Sequence, residues 1–153
     1  MRRLFVALIA ACGLLFVTAT AAQAAVRFHA GPTFTDQGTT FNVTGNMSGL
    51  GNEDLTVQLD ATGTGSVICE NPAGKRAPGQ DTTVNASGTA SGIEVKNGRA
   101  SFDVTTAEPP APDPAVVCPN RQWSATITDV EFTSATLTLI QGGEIVFQQT
   151  NQL

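Results

Sequence analysis

The 153-residue sequence predicts an all-β domain built as an antiparallel two-sheet sandwich. Three observations predict it. Short runs of alternating apolar and polar residues dominate the chain, and the apolar spacing of an amphipathic helix is nearly absent. Two-residue turns, Asn97-Gly98 and Gly142-Gly143, separate such runs as in β-hairpins. Prolines concentrate between the runs, where no hydrogen bond has to be donated to a sheet.

The first 24 residues are predicted to be a signal peptide. An arginine pair at 2–3 precedes an apolar stretch at 4–17, and Ala22-Gln23-Ala24 offers the small residues that a signal peptidase requires. We expect residues 25–153 to form a single mature domain that is secreted or otherwise extracytoplasmic. An uncleaved membrane anchor is the alternative, although no cluster of charges follows the apolar stretch.

The strands follow from the alternation of residue types. Phe41 and Val43 share one face of their run, and Leu55, Val57 and Leu59 share one face of the next. Ten such runs occur, some of only three or four residues, and together they predict about eight or nine strands. In chain order, the alternating runs cover residues 26–28, 39–44, 55–60, 66–69, 82–90, 93–95, 100–104, 123–132, 134–140 and 144–149.

One run changes its buried face part of the way along. Trp123, Ala125 and Ile127 keep one phase, whereas Val130 and Phe132 adopt the other. A shift of one residue exchanges the two faces of a strand. We therefore expect a β-bulge near Thr128-Asp129, or a strand that changes sheets there.

Each run has one face to bury, and we expect the two runs that flank each two-residue turn to pair in antiparallel orientation. This favours a two-sheet sandwich that is immunoglobulin-like in architecture. A closed antiparallel barrel is the main alternative. The chain has no tyrosine and hence no tyrosine corner, and its cysteine-to-tryptophan spacing differs from that of antibody domains. Two proline- and glycine-rich segments, residues 70–80 and 107–122, are predicted surface loops.

The cysteines indicate a disulfide. Cys12 lies in the predicted leader, so the mature chain retains Cys69 and Cys118. The position of Cys12 also allows a lipoprotein as an alternative. Two cysteines in an exported chain are expected to be oxidised to a disulfide. A metal site would need further ligands close by, and the only histidine, His29, is distant in sequence. The bridge would pin the two predicted loops together at one end of the sandwich.

The charge excludes some classes of partner. Residues 25–153 carry six basic and 13 acidic residues, a net charge of −7. This argues against nucleic acid or an anionic membrane as the main partner. The basic residues are scattered along the sequence, at Arg27, Lys75, Arg76, Lys96, Arg99 and Arg121.

The sequence contains no convincing catalytic motif. A serine–histidine–aspartate triad would have to use His29 near the mature N-terminus, and no G-x-S-x-G elbow occurs. Paired carboxylates remain available for hydrolysis because acidic residues are abundant. Asn52, Glu53, Asp54 and Asp60 could bind Ca²⁺, but EF-hand spacing is missing, and solvated turn residues are the simpler explanation. We expect no catalytic residues, no metal and no cofactor.

We predict a secreted, non-catalytic β-sandwich domain that binds an extracellular ligand, an envelope component or a protein through its disulfide-stapled loops. The candidate ligand-binding residues are Lys75, Arg76, Arg121 and Trp123. Trp123 could instead belong to the core, because it is in phase with Ala125. A secreted hydrolase with paired carboxylates and an extracellular enzyme inhibitor are the alternatives.

Several patches support a family resemblance across nearly all of the mature chain. They are Gly31-Pro32-Thr33-Phe34, Gly49-Leu50-Gly51-Asn52-Glu53-Asp54, Cys69 with Asn71-Pro72, Cys118-Pro119-Asn120, and Trp123 through Phe132. The patches resemble those of a group of small exported bacterial β-sandwich proteins with no assigned activity, which implies export and fold but no site. More loosely, the chain resembles the neocarzinostatin-type carrier proteins, which are small, acidic and immunoglobulin-like. Those carriers have two disulfides, whereas the mature chain can form one, so the resemblance extends only to the fold.

Overall fold

The computed structural model describes residues 25–153, so the predicted signal peptide and Cys12 lie outside the described residues. The described part contains nine strands and one short helix. They are β1 (Arg27–Phe28), β2 (Thr33–Asp36), β3 (Phe41–Ser48), β4 (Leu55–Glu70), β5 (Arg76–Pro78), β6 (Thr82–Ile93), β7 (Arg99–Thr105), α1 (Pro114–Val117), β8 (Ser124–Gln141) and β9 (Glu144–Gln152). Between residues 25 and 153, no helix has the length and apolar character needed to cross a membrane.

The strands form two antiparallel sheets, which confirms the predicted two-sheet sandwich. In the small sheet, β3 is central, with β7 on one side and β1 and β2 sharing the other. In the large sheet, β4 is central, with β8 on one side and β6 and β5 sharing the other. β9 adds to the outer side of β8.

The main core lies between the inner faces of the two sheets. On β4, the inward residues Leu55, Val57 and Leu59 are completely buried, as the alternation predicted. From the small sheet, Val43 and Phe41 meet this face, and the Phe41 ring lies 5.0 Å from that of Phe132 on β8. Burial of such side chains contributes about 1.5–3 kcal/mol each. The packing between the two sheets is therefore the main source of stability.

The large sheet is longer than the small one. β4 has 16 residues and β8 has 18, so the runs predicted at 55–60 and 66–69 are parts of one strand. β8 accommodates an extra residue opposite β4 at two places, Thr128 and Thr133. The bulge predicted near Thr128-Asp129 is therefore confirmed, and β8 stays in one sheet throughout.

The small sheet covers only part of this length. Beyond it, α1 and the adjoining chain lie over the inner face of the large sheet. A second core forms there from Val67 and Cys69 on β4, Ala125 on β8 and Val117 on α1. The proline-rich segment 107–122 thus covers the part of the large sheet that the small sheet does not reach. Its apolar side chains bury the inner face there.

Both predicted two-residue turns are present. Asn97 and Gly98 have φ angles of 51° and 71°, and Lys96 and Arg99 exchange two backbone hydrogen bonds of 2.9 and 3.0 Å. The flanking strands nevertheless belong to different sheets, because β6 ends at Ile93 and joins the large sheet while β7 joins the small one. The predicted hairpin is wrong in this respect.

The turn at Gly142-Gly143 joins β8 and β9 as a true hairpin. The predicted loop 70–80 also needs a correction, because it contains the edge strand β5. Pro78 is tolerated there at the end of an edge strand, where a missing N–H group leaves no gap in the sheet.

Candidate functional site

The predicted disulfide is present between Cys69 and Cys118, whose Cα atoms are 5.8 Å apart. Cys69 is completely buried on the central strand β4, and Cys118 follows α1 directly. The bond therefore attaches segment 107–122 to the large sheet. Cys69 lies near the end of β4, in the run predicted at 66–69, so the bond holds segments 70–80 and 107–122 at one end of the sandwich as expected.

Local capping forms α1 beside this bond. Asp113 precedes the helix, and its side chain accepts a hydrogen bond of 2.9 Å from the Ala115 backbone N–H. Pro114 occupies the first helical position, where a missing N–H group carries no penalty. The Val117 carbonyl then accepts a bond of 2.8 Å from the Gln80 backbone N–H. Both proline-containing segments therefore meet at the disulfide end.

The four predicted ligand-binding residues have different environments. Lys75 and Arg121 are exposed in turns, and Trp123 is half-buried against the second core, as its alternative interpretation expected. Arg76 lies on β5, where its Nε donates to Glu70 Oε2 at 2.7 Å. Of these four, only Arg76 lines the depression of about 430 Å³ at this end, with Glu70 and β-strand side chains.

A larger depression lies at the opposite end of the molecule. It encloses about 560 Å³ on the outer face of the small sheet, beside the turn at Asn97-Gly98. We call it the basic groove and define it by the polar side chains that line it: His29, Asn46, Glu94, Lys96, Arg99 and Ser101.

Strand pairing brings the two cations of the basic groove together and sets Arg27 on the same face of the sheet. The two-residue turn places Lys96 opposite Arg99. On β3, Ser48 pairs with Arg99 of β7 on one side and with Arg27 of β1 on the other. Arg27 and Arg99 therefore lie two strand spacings apart, about 10 Å, on one face.

Hydrogen-bond donors predominate in the groove. Lys96 Nζ lies 3.1 Å from Glu94 Oε2, whereas Arg27 and Arg99 form no salt bridge within residues 25–153. Ser101 Oγ donates to Asn46 Oδ1 at 2.5 Å, which directs the acceptor of that amide to the serine. The Asn46 amino group and the Arg99 guanidinium are then available to a ligand that accepts hydrogen bonds.

The sequence alone does not reveal this clustering, because the basic residues are scattered along the chain. Lys96 and Arg99 line the groove with the only histidine of the chain, and Arg27, another of the six basic residues of segment 25–153, lies on the same face of the sheet. The Asn97-Gly98 turn could have placed Lys96 beside Arg99. Nothing in the local pattern indicates that Arg27 and His29 join them, because that depends on the pairing of β1 with β3.

The described residues show little sign of a catalytic or metal centre. Four depressions in the described part of the chain, of about 560, 430, 240 and 160 Å³, are each lined by at most one carboxylate side chain. Within 25–153, no group of three or more histidine, cysteine, aspartate or glutamate residues is arranged to hold a metal ion. The Gly51–Glu53 turn is instead tied to Gln141, whose amide bonds the Gly51 N–H and the Glu53 carbonyl.

Comparison with known proteins gives no further guide to the site. No protein-family model matches the chain. No curated protein matches it either.

Proposed function

We propose that the chain is an exported, non-catalytic binding domain that holds an anionic ligand in the basic groove. The observation that carries the proposal is the assembly of Arg27, Lys96 and Arg99, with His29, on one face of an otherwise acidic domain. Export is supported by the predicted leader and by the disulfide, which persists in oxidising compartments.

The net charge of −7 over residues 25–153 makes this surface unusual. A random anion is repelled by most of the molecule, but a local group of cations creates a positive potential in a concave surface and attracts anions there. Arginine binds carboxylate, sulfate and phosphate groups through two parallel hydrogen bonds. The ligand class is therefore one that carries such groups, for example an acidic extracellular polysaccharide.

Several features of the groove support binding without catalysis. Its one carboxylate residue, Glu94, is paired with Lys96, and a paired-carboxylate hydrolase would need a second acid across the cleft. The stapled end of the sandwich is the second candidate surface, because Arg76 lines a depression there. In that depression, however, Glu70 neutralises the arginine, so it attracts anions less strongly.

Replacement of Arg99 tests the proposal. We expect Arg99→Gln to weaken binding of an acidic polysaccharide about tenfold or more, because a charge-assisted bidentate contact contributes about 1.5–3 kcal/mol. Calorimetric titration with polygalacturonate and dextran sulfate, with uncharged dextran as the reference polymer, measures the change. Binding to the charged polymers should also weaken as the salt concentration rises.

Arg121→Gln is the matched control, since it removes the same charge from an exposed turn at the other end. It should leave the affinity within about twofold of the unmodified protein, because surface charges beyond a Debye length are largely screened. Equal weakening by the two variants would show a nonspecific charge effect. No binding of either charged polymer would contradict the proposal.

A further inference from the structure

The strand β9 has an open edge. It pairs with β8 on one side, and on the other side its backbone has no hydrogen-bond partner within residues 25–153. The Leu153 backbone N–H donates to the Thr133 carbonyl at 3.0 Å. Backbone groups alternate in direction along a strand, so those of Gln148, Thr150 and Gln152 point to the open edge.

This edge carries little protection against pairing, and the bulge at Val146 lies outside residues 148–152. Residues 144–152 read EIVFQQTNQ, with no proline, glycine or lysine and with one charge, at Glu144. The other edge of the large sheet differs. It ends in Pro78, and the Ser87 carbonyl there accepts a hydrogen bond of 2.9 Å from the Ala107 N–H.

The C-terminal half of β9 is also self-complementary. Read about Thr150, the sequence from 148 to 152 is QQTNQ, with glutamine at both ends and amide side chains at both inner positions. An antiparallel copy centred on Thr150 sets Gln148 opposite Gln152 and Gln149 opposite Asn151. Uncharged polar side chains then face one another throughout.

We propose that a second copy of this chain pairs with β9 in antiparallel register about a twofold axis at Thr150. The outward backbone groups of residues 148, 150 and 152 would form about six intermolecular hydrogen bonds and join the two large sheets into one. Each Glu144 then lies beyond an opposite end of the pair, whereas parallel pairing would stack the two carboxylates. Like charges directly opposite each other disfavour the parallel arrangement.

The outer face already contains the contact that the second copy would repeat. The Thr150 hydroxyl lies 2.9 Å from that of Thr136 on β8, and Gln148 Nε2 donates to Thr138 Oγ1 at 3.1 Å. Pairing of β9 with its copy would continue these rows of threonine and glutamine side chains across the twofold axis. The inference concerns assembly and is independent of the basic groove.

Analytical ultracentrifugation of the exported protein, made from the full chain so that any processing occurs, tests the pairing from micromolar to millimolar concentration. We expect a concentration-dependent dimer. Thr150→Pro should abolish it, because the lost N–H points to the open edge and serves no bond to β8. Thr150→Lys should weaken the dimer at least tenfold by placing two like charges at the twofold axis.

Thr64→Lys is the matched control, since it adds the same charge to an exposed position on the central strand β4. It should dimerise like the unmodified protein, and thermal unfolding should show that all variants are folded. The proposal is overturned if the unmodified protein stays monomeric at millimolar concentration, if it forms only undefined aggregates, or if the dimer survives both Thr150 substitutions.

Discussion

Two threonines allow β8 to stay paired with one strand over its whole length. Thr128 and Thr133 are the extra residues at its two bulges, and each donates its hydroxyl to a β4 carbonyl, that of Ser66 at 3.3 Å and that of Thr62 at 3.2 Å. These side chains bridge to β4 at the two places where the regular ladder is interrupted. Each bulge shifts by one residue the positions of β8 that face the core. The second bulge therefore restores the phase that the strand had before the first.

Only one of these bulges could be predicted from the sequence. The phase change between Ile127 and Val130 is visible because both residues are large and apolar. The return occurs between Phe132 and Ala135, where the inward residue is small and its neighbours are serine and threonine. Periodicity depends on contrast between apolar and polar side chains, and that contrast is weak there.

A single glycine sets the distance between the sheets where β6 passes β7. A Cβ atom at Gly88 would collide with the Thr105 carbonyl oxygen and lie 3.0 Å from the Thr106 Cα. Because these are backbone atoms, the chains would have to separate. We expect Gly88→Ala to lower the free energy of unfolding by about 1–3 kcal/mol, as other overpacking substitutions do. Urea unfolding measures the change.

Thr89→Ala is the control for this substitution, because its side chain is exposed on the neighbouring residue. It should change stability by less than about 0.5 kcal/mol. If the Gly88 variant is as stable as this control, the close approach of the two backbones is not a fixed feature of the fold.

At the scale of elements, the positions of strands are easier to predict from the sequence than the choice of the strand with which each one pairs. The Asn97-Gly98 turn formed as its residues require, because asparagine and glycine tolerate positive φ. Its flanking segments still diverge into different sheets. The choice of partner depends on packing between distant segments, which the local pattern of residues 93–104 does not encode.

The element that the sequence pattern described least well is α1 with its flanking loop. Five prolines in 107–122 predicted a surface connection, yet Val117 is only 4% exposed and packs against the large sheet. We expect Val117→Ala to destabilise the protein by about 1.5–3 kcal/mol, from lost burial and the cavity that remains. Chemical denaturation measures the difference.

Val116 provides a control on the same helix, because it is 68% exposed. Val116→Ala makes the same chemical change with the same effect on helix propensity, and we expect a change within about 0.5 kcal/mol. Similar losses at the two positions would mean that segment 107–122 does not function as a cover for the sheet.

At the scale of the whole molecule, we propose separate roles for the two ends of the sandwich. The disulfide end completes the core, whereas the basic groove at the other end remains open. The sequence predicts the first end because a cysteine pair indicates a disulfide and clustered prolines indicate a segment outside the central strands. It does not predict the second because the groove combines residues from β3, from β7 and the segment before it, and from the segment after β1, and each of these is unremarkable in its own segment.

Removal of the disulfide tests this separation of roles. In the Cys69→Ala/Cys118→Ala protein, the link between two positions separated by 49 in sequence is lost, and we expect a loss of about 4 kcal/mol in unfolding free energy. Unfolding of this protein should begin locally, because the bond attaches segment 107–122 to the large sheet. Limited proteolysis should therefore cut within 107–122 before the β4–β8 pair is digested.

The same protein separates the two candidate binding surfaces. Below its unfolding midpoint, it should bind acidic polysaccharide with unchanged affinity if the ligand occupies the basic groove, because none of the groove residues contacts the second core. Binding through the stapled end would instead be lost together with the protection of 107–122. Retained binding with rapid cleavage of the cover would thus assign the disulfide to stability and the groove to recognition, whereas parallel loss of both would return the site to the loops.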